Sequence, residues 1–247
     1  MAVRVIFFDF GYVLASPPLG LDPRFLYLDW DGMARIAADP TLAPYLQPGV
    51  GAVELREFFD RDYYQRFTGP ESGNLTAPRA SELLRLVLPS IFTQPLTPEQ
   101  LDRLLAHLDT MKYMQFDPAA GRVLRALSNQ GYKLGIISNM ILPGVLLERL
   151  LESEGLRGLF GPVITSAETG YIKPHPRIFE YALDKGGWRP EDALFVGDTY
   201  KQDVIGARSV GMHVIWLNSR GEPTAQAGGN PPDAIINSLE ELLEADI

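Results

Sequence analysis

The chain contains no cysteine, although it is 247 residues long. Disulfide bonds, thiolate nucleophiles and metal sites built on cysteine are therefore excluded. An excess of positive charge is also missing, because 22 Lys and Arg stand against 31 Asp and Glu, a formal net charge of -9. Such a chain lacks the basic surface that attracts DNA or anionic lipid, so we expect no nucleic-acid partner and no membrane partner.

Long hydrophobic runs are missing as well. No stretch is apolar enough over enough residues to span a bilayer, and the first residues lack the pattern of a signal peptide. We therefore expect a cytoplasmic protein. With 46% hydrophobic and 21% charged residues, the composition is that of a globular chain with one large domain or a core plus an insert. Both a monomer and a homodimer are compatible with it.

Strand and helix patterns alternate over the second half of the chain. Short apolar runs predict strands at 4–9, 133–138, 162–165, 193–197, 213–217 and 234–236. Helical patterns lie between them, at about 117–131, 143–154, 176–186, 203–210 and 238–244, and a Gly- and Pro-rich loop covers 220–232. This alternation predicts an α/β fold, in which a parallel sheet carries helices on both faces.

A block of different character interrupts this pattern after the first strand. From about residue 18 to 114 the apolar residues follow a helical period, with helices expected near 25–36, 53–67, 83–89 and 97–108. Thr97-Pro98-Glu99-Gln100 has the residues of a capped helix start. We therefore predict that residues 19–114 form an inserted all-helical cap, and that residues 1–18 and 115–247 form the core.

Four polar segments suit a phosphate-handling site. Asp9, Ser138-Asn139 and Asp198 each come at the end of a predicted strand, and Lys173 lies in the proline-restrained segment Gly170–Pro176. Ligands of open parallel sheets bind beyond the carboxyl ends of the strands, which is where three of these segments converge. The sequence therefore predicts one composite site at this edge of the sheet.

Each segment also has a simpler interpretation. Asp9 can attack phosphorus as a nucleophile, but an aspartate at a strand end can equally satisfy a turn. Ser138 and Asn139 can hold phosphate oxygens or form an ordinary turn, and Lys173 can neutralise phosphate or be a solvated loop lysine.

Two further carboxylates, Asp198 and Asp203, fit the oxygen-rich coordination that Mg²⁺ prefers. They can also cap a strand–helix connection and a helix N-terminus. The three histidines, His107, His175 and His213, show no spacing typical of metal ligands.

Taken together, these motifs resemble those of the haloacid dehalogenase-like hydrolase superfamily, in the subfamily with a helical cap. The segments that carry the resemblance are Asp9, Ile137-Ser138-Asn139, Lys173-Pro174, Val196-Gly197-Asp198-Thr199 and Asp203. The resemblance covers about 1–18 and 115–247, whereas the cap matches only in its position and helical character. It implies a Rossmann-like three-layer core and Mg²⁺-dependent hydrolysis of a small phosphorylated substrate.

The resemblance also implies a role for each residue. Asp9 would be the nucleophile and a metal ligand, and Lys173 would act in catalysis and bind phosphate together with Ser138 and Asn139. The remaining metal groups would be the backbone carbonyl of Gly11, the carboxylate of Asp198, and Asp203, which binds or orients the ion.

Gly11 is a departure from the family pattern. Phosphatases of this superfamily usually carry a second aspartate at this position, which acts as general acid and then general base. The carbonyl ligand survives the change to glycine, but the proton donor does not, and such a donor is worth about 10²–10⁴-fold in rate. Water or a cap residue would then supply the proton.

We therefore predict a Mg²⁺-dependent phosphatase that acts on a small phosphorylated metabolite through an aspartyl phosphate. One alternative is hydrolytic dehalogenation of a 2-haloacid, which Asp198 and Asp203 disfavour because that reaction needs no metal. Another is a non-catalytic protein that binds phosphate or a partner, which Gly11 keeps open.

Overall fold

A computed structural model describes residues 3–20, 29–64, 75–223 and 231–245 of the chain. Its strands are, in chain order, β1 (Val5–Phe8), β2 (Ala15–Ser16), β3 (Gln115–Phe116), β4 (Lys133–Ser138), β5 (Phe160–Thr165), β6 (Ala193–Gly197), β7 (His213–Leu217) and β8 (Ala234–Ile236). Six of them form a parallel sheet in the order β5-β4-β1-β6-β7-β8. The predicted α/β fold with a parallel sheet is thus confirmed.

The helices are α1 (Gly32–Ala38), α2 (Ala52–Phe58), α3 (Ala80–Ile91), α4 (Pro98–Leu108), α5 (Ala120–Asn129), α6 (Val145–Ser153), α7 (Ser166–Thr169), α8 (Pro176–Gly186) and α9 (Ile205–Ser209). Wide π-helical turns at Phe59–Tyr64 and Tyr200–Val204 lead out of α2 and into α9. Short 3₁₀ turns cover Ala43–Tyr45, Met111–Tyr113, Arg157–Leu159, Pro190–Asp192 and Leu239–Leu243. No helix of the described residues is both long and apolar enough to cross a membrane.

The sheet separates two apolar layers, because alternate side chains of a strand point to opposite faces. In β1, Val5 and Phe7 pack into one cluster with α8, and Ile6 and Phe8 pack into the other. The second cluster continues into the buried faces of α1 to α4. All four β1 side chains are fully buried, which explains why this central strand is a continuous apolar run.

The described part of the segment between β2 and β3 is built from α1 to α4 and shorter helical turns. The predicted helix at 25–36 appears as Gly32–Ala38, and residues 21–28 lie outside the described part of the chain. The predicted helix at 53–67 begins at Ala52 and continues to Tyr64, and 65–67 also lie outside the described residues. The cap boundaries at 18/19 and 114/115 stay a prediction.

A small antiparallel pair of strands joins the two chain segments that lead into and out of this insert. Ala15 pairs with Phe116 and Ser16 pairs with Gln115, and the N–H of Asp117 donates to the carbonyl of Leu14 at 2.9 Å. Sequence patterns did not predict this pair, since a strand of two residues has no measurable period. Its effect is to hold the entry and exit of the insert side by side.

Pro89 does not end the third helix of the insert as predicted. Helix α3 continues through Pro89 to Ile91, whose side chain is fully buried. A proline inside a helix removes one backbone hydrogen bond, so packing of the apolar face outweighs that loss here. The start of the fourth helix is as expected, because Thr97 Oγ1 accepts from Gln100 N–H and Gln100 Oε1 accepts from Thr97 N–H.

Candidate active site

Three of the four predicted segments lie at the carboxyl edge of the sheet, on neighbouring strands. Asp9 follows β1, Ser138 ends β4 on one side of it, and Asp198 follows β6 on the other side. The N–H of Asp9 donates to the carbonyl of Val196 at 2.9 Å, which extends the β1–β6 pairing to the candidate nucleophile. The parallel pairing therefore places these polar groups together.

Lys173 joins the site from the loop between α7 and α8. Its Nζ lies 2.9 Å from Asp9 Oδ1 and 2.7 Å from Asp203 Oδ1, and its side chain is fully buried. Burial alone disfavours the charged amine, but the adjacent carboxylates of Asp203 and Asp9 outweigh it and raise the pKa of Lys173. Lys173 is therefore a fixed cation at neutral pH, and the interpretation as a solvated loop lysine is wrong.

Asn139 holds the backbone of Lys173. Its Oδ1 accepts from the N–H of Lys173 at 2.8 Å, and its Nδ2 donates to the carbonyl of Lys173 at 3.3 Å and to Gln202 Oε1 at 3.0 Å. The side chain of Asn139 thus fixes the lysine loop against β4. A contact between phosphate and Asn139 or the buried Ser138 stays a prediction.

Asp203 lies in the wide turn Tyr200–Val204 and is fully buried. Its Oδ1 pairs with Lys173, and its Oδ2 accepts from the N–H of Thr199 at 2.9 Å. A side chain on Gly197 would come within 2.3 Å of Asp203 Cβ, so glycine is required there for this close approach. With both oxygens bound inside the protein, Asp203 is suited to orient Lys173 and its neighbours.

Asp198 is the more accessible of the two late carboxylates. Its backbone carbonyl accepts from the indole N–H of Trp216 at 2.9 Å, and its Oδ2 contacts the guanidinium of Arg220. Burial raises the pKa of Asp198 to about 7, and repulsion from Asp9 and Asp203 adds to that shift. Burial likewise raises the pKa of Asp203 to about 6, although Lys173 opposes it.

The carboxylates form a group that can hold a divalent cation. One oxygen from each of Asp9, Asp198 and Asp203 lies within 4.8 Å of the others. Such a set is made of the hard oxygen donors that Mg²⁺ prefers, and its mutual repulsion is what a cation would relieve. The residues present therefore fit the predicted Mg²⁺.

The segment after Asp9 has two unusual features. Gly11 has a φ outside the left-handed region, and no described residue other than its two chain neighbours has an atom within 4 Å of the position that its Cβ would occupy. Tyr12, by contrast, has a φ of 58°, and its ring is 44% exposed. The position usually filled by the acid is thus open space, beside a tyrosine in a conformation that bulky residues rarely adopt.

Sequence reasoning missed three residues of this site, namely Tyr12, Gln202 and Arg220. Tyr12 adjoins Gly11, and Gln202 lies between Asp198 and Asp203, so their positions in the chain could have indicated them. Arg220 lies in a segment that was predicted only as a loop. It follows the carboxyl end of β7 by three residues, and β7 is the neighbour of β6 in the sheet, so this position could have indicated it.

Comparison with known proteins agrees with this geometry. The family model described as haloacid dehalogenase-like hydrolase matches residues 54–217, which is more than half of the chain. The chain belongs to this haloacid dehalogenase-like hydrolase family. The predicted resemblance to the superfamily is thereby confirmed, and the assignment to the subfamily with a helical cap is consistent with it.

Its curated relatives in this family include several phosphatases. It is 39% identical over 105 residues to glyceraldehyde 3-phosphate phosphatase of Methanothermobacter thermautotrophicus, covering 41% of this chain and 44% of that one. It is 33% identical over 129 residues to phosphoserine phosphatase of Thermus thermophilus, covering 52% and 50%. The chain therefore spans about half the length of the curated relatives it matches.

Solved structures of the family match nearly the whole chain. A phosphatase from Thermococcus onnurineus has a TM-score of 0.60 at 26% identity, covering 98% of this chain and 97% of that one. A 2-haloacid dehalogenase from Pseudomonas syringae has a TM-score of 0.62 at 24% identity, with the same coverage. At that identity the second likeness shows the fold alone.

Proposed function

We propose that this protein is a Mg²⁺-dependent phosphatase that hydrolyses a small phosphomonoester through an aspartyl phosphate on Asp9. The observation that carries the proposal is the position of the buried Lys173 Nζ, 2.9 Å from Asp9 Oδ1 and 2.7 Å from Asp203 Oδ1, two members of the carboxylate group that also contains Asp198. Catalysis of phosphoryl transfer consists mainly of positioning and charge neutralisation, and these residues provide both.

The two oxygens of Asp9 have different surroundings, which suggests which of them reacts. Oδ1 accepts from Lys173 Nζ and from the N–H of Phe10 at 2.7 Å. We therefore assign the attack on phosphorus to Oδ2. The Oδ2–P bond forms while the ester P–O bond breaks, and the leaving oxygen takes a proton.

Hydrolysis of the aspartyl phosphate completes the cycle. Water attacks phosphorus, the Oδ2–P bond breaks, and inorganic phosphate leaves with Asp9 restored as a carboxylate. Lys173 stays charged throughout, because Asp203 balances it, and it neutralises the phosphoryl oxygens. Ser138 and Asn139, which precede the Lys173 loop in the site, would contact the same oxygens.

Asp9, Asp198 and the backbone carbonyl of Gly11 would hold Mg²⁺, with Asp203 orienting the group, and the ion would neutralise charge on the phosphate and the carboxylates. Because position 11 carries no acid, the leaving-group proton would come from water or from a cap residue. We expect a slower reaction than in relatives that carry this acid.

A phosphate-release assay with a panel of small phosphomonoesters, with and without Mg²⁺, tests the proposal. We expect Mg²⁺-dependent release, and we expect Asp9→Asn to abolish it without changing the circular dichroism spectrum or the melting cooperativity. Release that persists in Asp9→Asn would contradict the aspartyl-phosphate mechanism. Metal-independent halide release from a 2-haloacid would instead favour the dehalogenase alternative.

A further inference from the structure

A second cation lies at the open side of the site. The guanidinium of Arg220 contacts Asp198 Oδ2, and its Cζ lies 5.0 Å from the centroid of the Tyr12 ring. The Arg220 side chain is 47% exposed, whereas Lys173 is fully buried and paired with two carboxylates. The two cations therefore face different parts of the site, one beneath the nucleophile and one towards solvent.

Hydrogen bonds of the surrounding turn fix the backbone position of Arg220. Asn218 Nδ2 donates to the carbonyl of Glu222 at 2.9 Å, and Asn218 Oδ1 accepts from the N–H of Glu222 at 2.7 Å. The N–H of Gly221 donates to the carbonyl of Asn218 at 3.1 Å, and Gly221 has a φ of 67°. Arg220 thus lies in a closed turn that is anchored to the end of β7.

Tyr12 places its ring against the guanidinium of Arg220. Its left-handed backbone is held by a hydrogen bond from its N–H to the carbonyl of Ala15 at 2.7 Å. A bulky residue rarely adopts this conformation, and residues that do so cluster at functional sites. The result is an arginine stacked on an aromatic ring, one residue from the open space at Gly11.

Nearby carboxylates neutralise the charge on Arg220 only in part. Its main anionic partner is Asp198, the carboxylate that the proposed Mg²⁺ would share, and Glu222 is 3.9 Å away. Asp198 would hold the Mg²⁺, and the ion would then repel the guanidinium and leave it with fewer bonds to Asp198 and more donors for another anion. A planar guanidinium fork is well matched to a carboxylate or a phosphate group.

We propose that Arg220, supported by the ring of Tyr12, is a specificity-determining residue that binds a second anionic group of the substrate. This inference rests on the proposed function. It assigns the substrate class as small phosphomonoesters that carry a further carboxylate or phosphate a few bonds from the ester oxygen.

Equilibrium binding tests the inference without relying on turnover. Non-hydrolysable phosphonates are titrated calorimetrically into the Mg²⁺-loaded protein, in a matched series with chains of one to three methylenes. Each chain ends in a carboxylate, a second phosphonate or a neutral carboxamide. For at least one chain length, the wild type should bind an anionic end more tightly than the amide by about tenfold or more, as expected for a charge-assisted hydrogen bond.

Variants at position 220 assign this preference to the guanidinium. Arg220→Gln should remove the preference, and Arg220→Lys should retain part of it, because lysine keeps the charge but loses the fork. Arg189→Gln is the matched control. Arg189 also pairs with an aspartate, Asp192 at 2.9 Å, but just before β6 and hence at the opposite edge of the sheet.

The outcomes separate this inference from the proposed function. The inference is overturned if the wild type binds all three ends equally at every chain length, or if Arg220→Gln keeps the preference. The end group that binds more tightly, carboxylate or phosphonate, identifies the kind of anion that Arg220 recognises. Failure of the wild type to release phosphate from any ester would overturn the proposed function and the substrate class that rests on it, whereas the role of Arg220 in binding an anion is decided by the binding preference, which does not depend on catalysis.

Discussion

The side-chain amide of Asn139 closes on both backbone groups of Lys173. Its Oδ1 accepts from the lysine N–H at 2.8 Å, and its Nδ2 donates to the lysine carbonyl at 3.3 Å. The sequence predicted Asn139 as a phosphate-binding residue, but in the structure its side chain binds the backbone of Lys173. It fixes the loop that carries Lys173, so its loss should affect stability as well as the proposed catalytic role of that lysine.

We therefore expect Asn139→Ala to lower the free energy of unfolding by about 1–3 kcal/mol, because the N–H of Lys173 loses its partner. Urea denaturation measures this change. Gln202→Ala is the control, since it removes the other partner of the Asn139 amide and leaves the contacts to Lys173 in place. If both variants are equally stable and Asn139→Ala raises only KM, then Asn139 is a phosphate ligand and not a support for the loop.

Asp198 should link stability to pH and to Mg²⁺. An aspartate in the unfolded chain ionises near pH 3.8, whereas burial raises the pKa of folded Asp198 to about 7. Between these values the folded state keeps a proton that the unfolded state has lost, so stability falls as pH rises from about 4 to about 7. Asp203, with its pKa raised to about 6, adds to the same trend.

We therefore expect Asp198→Asn to be more stable than the wild type in a buffer with a chelator and less stable than the wild type in a buffer with Mg²⁺. At about pH 8 with a chelator, the variant should be the more stable by about 1 kcal/mol, because it removes the repelling charge and loses only a partly exposed ion pair. With millimolar Mg²⁺ the wild type should gain stability by mass action and the variant should not. Thermal melts in the two buffers measure both effects, and an equal response to Mg²⁺ would exclude Asp198 as a ligand.

Much of the core could be predicted because buried parallel strands are short, continuous apolar runs. Strands 133–138, 193–197, 213–217 and 234–236 begin and end as predicted. The pair β2–β3 could not be predicted, since two-residue strands are defined by their partner and not by a pattern. The wide turn Tyr200–Val204 was predicted as helix beginning only at 203, because a helical period does not reveal how the first turn is wound.

The same distinction holds for the site. The strands bring Asp9, Ser138 and Asp198 together, so their convergence followed from topology. The pairing of Lys173 with Asp203 depends on how two loops meet, and no local pattern contains that information. Arg220 was not predicted as a site residue, because it lies in a Gly- and Pro-rich segment where its position depends on the hydrogen bonds between Asn218 and Glu222.

Arg220 should also weaken Mg²⁺ binding, since its guanidinium contacts the carboxylate of Asp198. Replacing it with glutamine removes a competing cation, so we expect Arg220→Gln to bind Mg²⁺ roughly threefold to tenfold more tightly. The difference should shrink as the ionic strength rises, because half of the arginine side chain is exposed. Calorimetric titration of Mg²⁺ measures this affinity, with Arg189→Gln as control. Weaker Mg²⁺ binding by Arg220→Gln would mean that the arginine organises the carboxylates instead of competing for them.

Restoring an acid at position 11 tests the departure of this chain from its family. The backbone of Gly11 is not left-handed, and a Cβ there would meet no atom within 4 Å from described residues other than its two chain neighbours, so both Gly11→Ala and Gly11→Asp should fold with near-normal stability. If the missing proton donor limits turnover, Gly11→Asp should raise kcat by up to about 10²-fold, and Gly11→Ala should not. A pH–rate profile separates the acid from a packing effect, because a carboxyl that must be protonated adds a fall in rate above its own pKa. Equal activity of the two variants would show that the proton already comes from elsewhere, or that this protein performs no phosphatase chemistry.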